Sequence, residues 1–275
     1  MLTHVLLIDD DQTECGLLER HLVQEGMAVR FAHDGRAGLQ SALSGDYDLV
    51  IVDLTLPQLT GLDLIRQLRE RSTIGILALI DQRNEMDTIV GLECGADDCL
   101  TRPLNPRELA ARIRAISRRR TPWLTRDVAA APEYLELGDL SLDGGSRTCR
   151  RNGEPIDLTT AEYDLLFTLL RCSGRAVPRK ELLKRVLDRE YSPFDRSIDV
   201  HVSNLRHKLP RLPDGTPRIR SVRNVGYMYV RPVKLACMSS GASKVSFEGQ
   251  TRMKSLPTQV FRARKNDPCD RIVAQ

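Results

Sequence analysis

The chain has no Cys-x-x-Cys pair, no lysine before Lys180, and no apolar run long enough to cross a membrane. Its seven cysteines are scattered and odd in number, a pattern that fits reduced thiols better than a disulfide framework or a zinc site. The apolar run nearest the N-terminus, Val5 to Ile8, stops at the carboxylates of Asp9, Asp10 and Asp11. Neither a signal peptide nor a membrane span is visible, so a cytoplasmic protein without a membrane partner is expected.

What is present is unevenly distributed. A length of 275 residues suits two domains plus additional segments. The net charge of +4 hides an asymmetry. Residues 1–120 carry 14 Arg against 19 Asp and Glu, a balance of −5, and the remainder carries 27 Lys and Arg against 18 Asp and Glu, a balance of +9. The basic half suits a polyanionic partner and the acidic half does not. Two globular domains that happen to differ in charge remain the plainer alternative.

Residues 1–120 alternate short apolar runs (Val5–Ile8, Ala28–Phe31, Leu49–Val52, Ile76–Leu79, Cys99–Leu100) with amphipathic stretches near Gln12–Glu25, Gly35–Leu43, Gly61–Glu70, Met86–Cys94 and Pro106–Arg118. That alternation predicts a doubly wound, five-stranded parallel sheet covered on both faces, an α/β fold of flavodoxin type. Residues 121–133, rich in Pro and Ala, read as a linker. Residues 134–232 predict an α+β winged-helix domain. Its short strands are followed by a Thr159-x-x-Glu162 capping box, helices near Arg179–Leu187 and Arg196–Leu209, and two strands around Asn224-Val225-Gly226. Residues 233–275 show no sustained periodicity and read as a basic, mostly disordered tail.

Asp9 and Asp10 close the first strand and Asp53 closes the third, so a parallel sheet brings the three carboxylates to one edge. Such a cluster repels itself unless a cation sits within it, and an all-oxygen set suits Mg²⁺. Aspartates that merely begin turns are the plainer reading. Here a family resemblance becomes specific. Leu6-Leu7-Ile8-Asp9-Asp10-Asp11, Asp48 to Pro57 with Gly61, Gly95-Ala96-Asp97-Asp98 and Pro103 resemble, in order and spacing, the receiver domains of the OmpR/PhoB family of two-component response regulators. The resemblance implies that Asp53 accepts a phosphoryl group from a sensor histidine kinase. It implies that Asp10 binds Mg²⁺ directly, Asp9 through water, and Thr55 through its backbone carbonyl.

Three positions depart from that pattern. The family's switch Ser or Thr falls on Ile80, its aromatic on Cys99, and its Lys on Arg102. Acceptor and metal ligands remain, but the relay from phosphorylation to a new surface is degenerate. Two mechanisms therefore stay open, control by Asp53 phosphorylation and control independent of it. On the dimer face of such receivers, Thr88 and Val90 replace basic residues, while Asp97, Asp98, Arg107, Arg112 and Arg114 remain. A more distant alternative is a phosphatase of haloacid-dehalogenase type, suggested by Asp9-x-Asp11-x-Thr13. The lack of lysine in the first domain argues against it.

In the second half, Ile198, Val202, Leu205 and Leu209 form an apolar stripe at helical spacing, with Arg196, Val200, Ser203, Asn204 and His207 opposite. A core helix with a solvated back explains most of this. Val200 exceeds it, because an apolar side chain on that back could touch a thymine methyl while Asn204 pairs with adenine. The run Phe194 to Leu209 and the segment Arg220 to Tyr227 resemble the recognition helix and wing of OmpR/PhoB effector domains, most like the CpxR branch. The resemblance implies double-stranded DNA as partner, contacted by Arg196, Ser197, Val200, His201, Ser203, Asn204, Arg206 and Lys208 of the helix and by Arg220 and Arg223 of the wing. It further implies a homodimer on DNA and contact of the Asp188–Phe194 loop with RNA polymerase. No enzymatic activity is expected.

Overall fold

The structure is a computed structural model that describes residues 2–81, 85–120 and 134–231. The linker assigned to residues 121–133 and the tail assigned to 233–275 lie outside the described residues.

The N-terminal half alternates strand and helix as β1 (Thr3–Ile8), α1 (Gln12–Gln24), β2 (Met27–Ala32), α2 (Gly35–Ala42), β3 (Leu49–Asp53), α3 (Gly61–Arg69), β4 (Gly75–Ile80), α4 (Glu85–Glu93), β5 (Asp98–Thr101) and α5 (Pro106–Arg120). The five strands are parallel in the order β2-β1-β3-β4-β5. Central strands of such a sheet have no solvent face, which is why β3 and β4 are buried throughout and lack polar alternation. The order reverses direction at β1, so the carboxyl ends of β1 and β3 open a crevice at the switch point.

Local capping fixes the helices that frame this crevice. The Asp11 side chain accepts from the backbone N–H groups of Thr13 and Glu14 and starts α1. Thr60 does the same for α3 by accepting from the Asp63 N–H. Gly61 must be glycine here, since a Cβ would lie 2.1 Å from the Asp53 carbonyl oxygen.

The C-terminal half begins with an antiparallel sheet of β6 (Tyr134–Leu137), β7 (Leu140–Asp143), β8 (Thr148–Arg151) and β9 (Glu154–Ile156). It continues with α6 (Thr160–Arg171), β10 (Val177–Pro178), α7 (Arg179–Leu182), a π-helical turn over Leu183–Leu187, α8 (Ser197–Lys208), β11 (Ile219–Val222) and β12 (Gly226–Tyr229). The Thr159–Glu162 capping box is formed in both directions. Asn224 adopts the left-handed conformation (φ 59°) that its side chain tolerates, and the wing turn survives without glycine there.

Three elements depart from the sequence reading. The single helix expected over Arg179–Leu187 widens into the π-helical turn after Leu182 and ends at Asp188, whose φ is 53°. The last of the short strands before the capping box, which the sequence places over Pro155–Leu158, stops at Ile156, because Asp157 and Leu158 lead into the helix cap. The third is β10, a strand of two residues that pairs with β12 and is too short to leave a periodic signal.

Candidate functional site

Asp9, Asp10 and Asp53 meet as the order of strands requires: their carboxylate oxygens lie within 4.8 Å of one another, with Asp9 and Asp53 buried and Asp10 exposed. A three-carboxylate, all-oxygen set of this span fits a hard divalent cation such as Mg²⁺. Thr55 meets Asp53 through other atoms than its carbonyl. Its N–H donates to Oδ1 at 3.0 Å and its hydroxyl to Oδ2 at 2.9 Å.

Arg102 dominates the electrostatics of this pocket. Its Nη2 donates to Asp9 Oδ2 at 2.6 Å, its Nη1 lies 3.1 Å from Asp53 Oδ1, and Nε and Nη2 both donate to Glu14 Oε2, at 3.0 and 2.7 Å. Burial raises the Asp9 pKa, aided by the Asp53 and Glu14 charges and opposed by the Asp11 N–H and by Arg102. Burial works against the Arg102 charge, but the Glu14 hydrogen bond and the surrounding carboxylates outweigh it and hold the guanidinium charged. The sequence flagged Arg102 as a departure and did not flag Glu14. Its place in the first turn of α1 was visible, but its pairing across 88 residues was not.

The other departures are buried. Ile80 offers no hydroxyl, and the Cys99 thiol, its pKa pushed up by burial, donates to the Thr88 carbonyl at 3.7 Å. Asp11 bears on the phosphatase alternative, because the carboxylate that would serve as general acid is engaged as the cap of α1.

The helix read as DNA-facing is α8, and here its polar back is not solvated as expected. It packs against α4, and Val200, only 7% exposed, joins the apolar cluster containing Leu54, Ala78 and Leu92 of the first half. Asn204 Nδ2 donates to the Leu92 carbonyl at 3.0 Å. His201 is buried and Ser203 half-buried. The physical reason is that α4, with Thr88 and Val90 in place of basic residues, offers an apolar face that takes Val200 without stranding a charge.

Ion pairs surround this seam. Arg189 Nη2 lies 2.6 Å from Asp98 Oδ1 and 3.0 Å from Ser197 Oγ, while Arg112 holds Asp98 Oδ2 at 2.9 Å. Asp97 accepts from the Ala161 N–H at 3.1 Å, from Arg69 at 2.7 Å and from the Ile76 N–H at 2.8 Å. Arg118 pairs with Asp188 at 2.5 Å. Asp97, Asp98 and Arg112, assigned from sequence to a dimer face, are therefore committed within the chain, as is Arg114 to Glu25. The sequence placed Arg189 only in the loop expected to face RNA polymerase and gave no sign of its pairing with Asp98.

The remaining candidates are more accessible. Arg196, Arg220 and Arg223 are exposed. Arg206 donates to the Ile219 carbonyl and the Ser221 hydroxyl, which ties α8 to the wing, and Lys208 pairs with Glu162 at 2.6 Å. Asp199 accepts from Arg179 and from the Tyr227 hydroxyl and fixes the N-terminal end of α8.

Comparison with known proteins follows this division. Residues 5–114 match the family model described as response regulator receiver domain, and residues 153–229 match that described as transcriptional regulatory protein, C terminal. The chain is 39% identical over 231 residues to the transcriptional regulatory protein CpxR of Escherichia coli, covering 83% of this chain and 99% of that one. It is 38% identical over 229 residues to the transcriptional regulatory protein TrcR of Mycobacterium tuberculosis, covering 83% and 86%. Among solved structures, a mutant of RitR superposes with a TM-score of 0.67 at 26% identity, covering 84% of this chain and all (100%) of that one. The chain belongs to the two-component response regulators of OmpR/PhoB type, transcriptional regulators in which a receiver domain precedes a C-terminal regulatory domain.

Proposed function

We propose that this response regulator accepts a phosphoryl group on Asp53 from a sensor histidine kinase and thereby uncovers α8 for sequence-specific binding to double-stranded DNA. The observation that carries the phosphorylation half is the meeting of Asp53 with Asp9 and Asp10 at the β1–β3 crevice. In the transfer, an Asp53 oxygen attacks phosphorus, the phosphorus–nitrogen bond of a phosphohistidine breaks, and an acyl phosphate forms on the protein. Mg²⁺ held by Asp9, Asp10, Asp53 and the Thr55 carbonyl would neutralise the phosphoryl oxygens. Arg102 contacts two of these carboxylates, Asp9 and Asp53, in the structure.

The seam between α4 and α8 supports the DNA half of this reading. In the uncovered state, Val200 and Asn204 would reach base edges, with His201, Ser203, Arg196, Ser197, Arg206 and Lys208 beside them and Arg220 and Arg223 in the wing. Binding as a homodimer fits tandem half-sites. The loop from Asp188 to Phe194, on which Phe194 is 90% exposed, is the surface for RNA polymerase. This reading divides the chain into a receiver (1–120), a linker, a winged-helix domain (134–232) and a tail. It places the protein in the cytoplasm, where the DNA is, and none of the described helices is long and apolar enough to cross a membrane.

A second reading rests on Ile80, Cys99 and Arg102. With no hydroxyl at Ile80 to follow the phosphoryl group, the seam would respond to another input and ignore Asp53. Intact-mass spectrometry after incubation with Mg²⁺ and acetyl phosphate, beside Asp53→Ala, tests acceptance, and DNA binding by the same samples separates the readings. An adduct absent from the control and accompanied by tighter DNA binding supports phosphorylation control. An adduct without any change in binding supports the second reading.

A further inference from the structure

We infer that Arg102 is a tethered gate on the acidic pocket: anchored by Glu14, its guanidinium holds oxygens of Asp9 and Asp53 that a divalent cation needs, so cation binding requires it to swing aside. The inference rests on reading Asp9, Asp10 and Asp53 as a cation site, and it concerns how that site is regulated.

All four oxygens of the two buried carboxylates are engaged. Asp9 Oδ1 accepts from the Asp11 N–H at 2.9 Å and Oδ2 from Arg102 at 2.6 Å. Asp53 Oδ1 accepts from the Thr55 N–H at 3.0 Å and faces Arg102 Nη1 at 3.1 Å, while Oδ2 accepts from the Thr55 hydroxyl at 2.9 Å. Two of these contacts come from the local backbone and leave a second lone pair available. The Thr55 hydroxyl can rotate away at little cost. The guanidinium is the bulky and charged competitor, and it faces both carboxylates at once, which a compact ammonium could not do with the same reach. Its hold is strengthened by the Glu14 carboxylate, which accepts from Nε and Nη2.

The surroundings also provide somewhere for Arg102 to go. Its side chain remains 21% exposed and lines a surface cleft of about 640 Å³ together with Asp11, Thr13, Glu14, Leu17, Asp81 and Pro103. Asp81 can receive the guanidinium there, so leaving Asp9 and Asp53 does not strand the charge. Glu14 thus serves as the pivot that holds Arg102 over Asp9 and Asp53, and its loss favours the displaced position. Arg102 is a positioning residue in this scheme, since it acts on the carboxylates and never on the phosphoryl donor.

The test is Mg²⁺ binding by isothermal titration calorimetry on the full chain, with MgCl₂ as the only ligand, for the wild type, Arg102→Ala, Arg102→Lys, Glu14→Gln and Asp9→Asn. Removing the competing charge is expected to tighten Mg²⁺ binding about tenfold in Arg102→Ala, with Arg102→Lys between it and the wild type. Glu14→Gln, which loosens the pivot and leaves the carboxylates in place, is expected to tighten binding about threefold, and Asp9→Asn to weaken it. Unchanged or weaker binding in both Arg102→Ala and Glu14→Gln would overturn the gate while leaving the cation site standing. No binding by any of the proteins would overturn the cation site and the gate with it.

Discussion

The acidic pocket and the α4–α8 seam are both built on positions legible in the sequence, yet they satisfy their charges in opposite ways. At the pocket, Arg102 pairs with Asp9, Asp53 and Glu14, and every one of these contacts lies within the receiver. At the seam, Asp98, Arg189, Asn204 and Val200 each have a partner across the boundary between halves. A pocket closed by residues of its own half can take a ligand without moving the other half. A surface satisfied by another domain is a choice between two occupants, here α4 or DNA. The two regions are joined through β4 and β5: Ile80 ends β4, Arg102 directly follows β5, and Asp98 and Cys99 open β5.

The comparison breaks hardest at Val200. In Val200→Arg a charge is forced into the apolar seam, and the residue proposed to touch a thymine methyl is lost. Small-angle scattering should show an opened molecule, and sequence-specific DNA affinity should fall about tenfold or more. A compact molecule with unchanged affinity would contradict both roles.

Removing one seam charge should act in the opposite direction on DNA binding. Asp98→Ala leaves Arg189 and Arg112 without a shared, buried carboxylate, a loss on the order of 2–3 kcal/mol to the closed arrangement. Hydrogen exchange of α8 should accelerate, and DNA affinity should rise without phosphorylation.

Acid should weaken the seam more gently. His201 is buried with no partner on either ring nitrogen among the described residues. Burial lowers its pKa from 6.5, opposed by the carboxylates of Glu162 on α6 and of Asp97 and Asp98 at β5, with the Arg189 guanidinium adding to the depression. An imidazole that protonates more readily once uncovered supports the closed form fully above about pH 6.5, and that support is lost as pH falls below it. The protection of α8, its exchange relative to the intrinsic rate at each pH, should therefore fall between pH 7.5 and 5.5, and His201→Gln should flatten the profile.

The smallest effect belongs to an exposed ion pair on α3. Arg66 and Asp63 pair at the surface with side chains 57% and 51% exposed, and Arg66→Ala should change stability by less than about 1 kcal/mol in urea denaturation.

Most of the fold could be read from the sequence because it rests on periodicity and caps. The apolar runs of β3 and β4, the Thr159–Glu162 box and the Asn224 turn each declare themselves within a few residues. The acidic pocket was legible for a different reason: parallel strands deliver their ends to one edge whatever the intervening helices do. Glu14 and Arg189 escaped because an ion pair between distant segments leaves no local pattern. The covered state of α8 escaped for a deeper reason. Val200 and Asn204 suit a DNA groove and a neighbouring helix alike, since both offer an apolar spot beside a hydrogen-bonding partner. Residue types alone do not distinguish the two occupants.

The central claim is that the receiver covers the DNA-reading face of α8. It is tested most directly by comparing the affinity of the unphosphorylated full chain and its Asp98→Ala variant for one DNA sequence, selected from a random pool by the winged-helix half. The account predicts at least about a tenfold tighter complex for Asp98→Ala, since weakening the competitor by about 1.4 kcal/mol frees α8 by that factor. Equal affinities, with both proteins folded, would mean that α8 is already free to bind DNA and that the seam does not govern it.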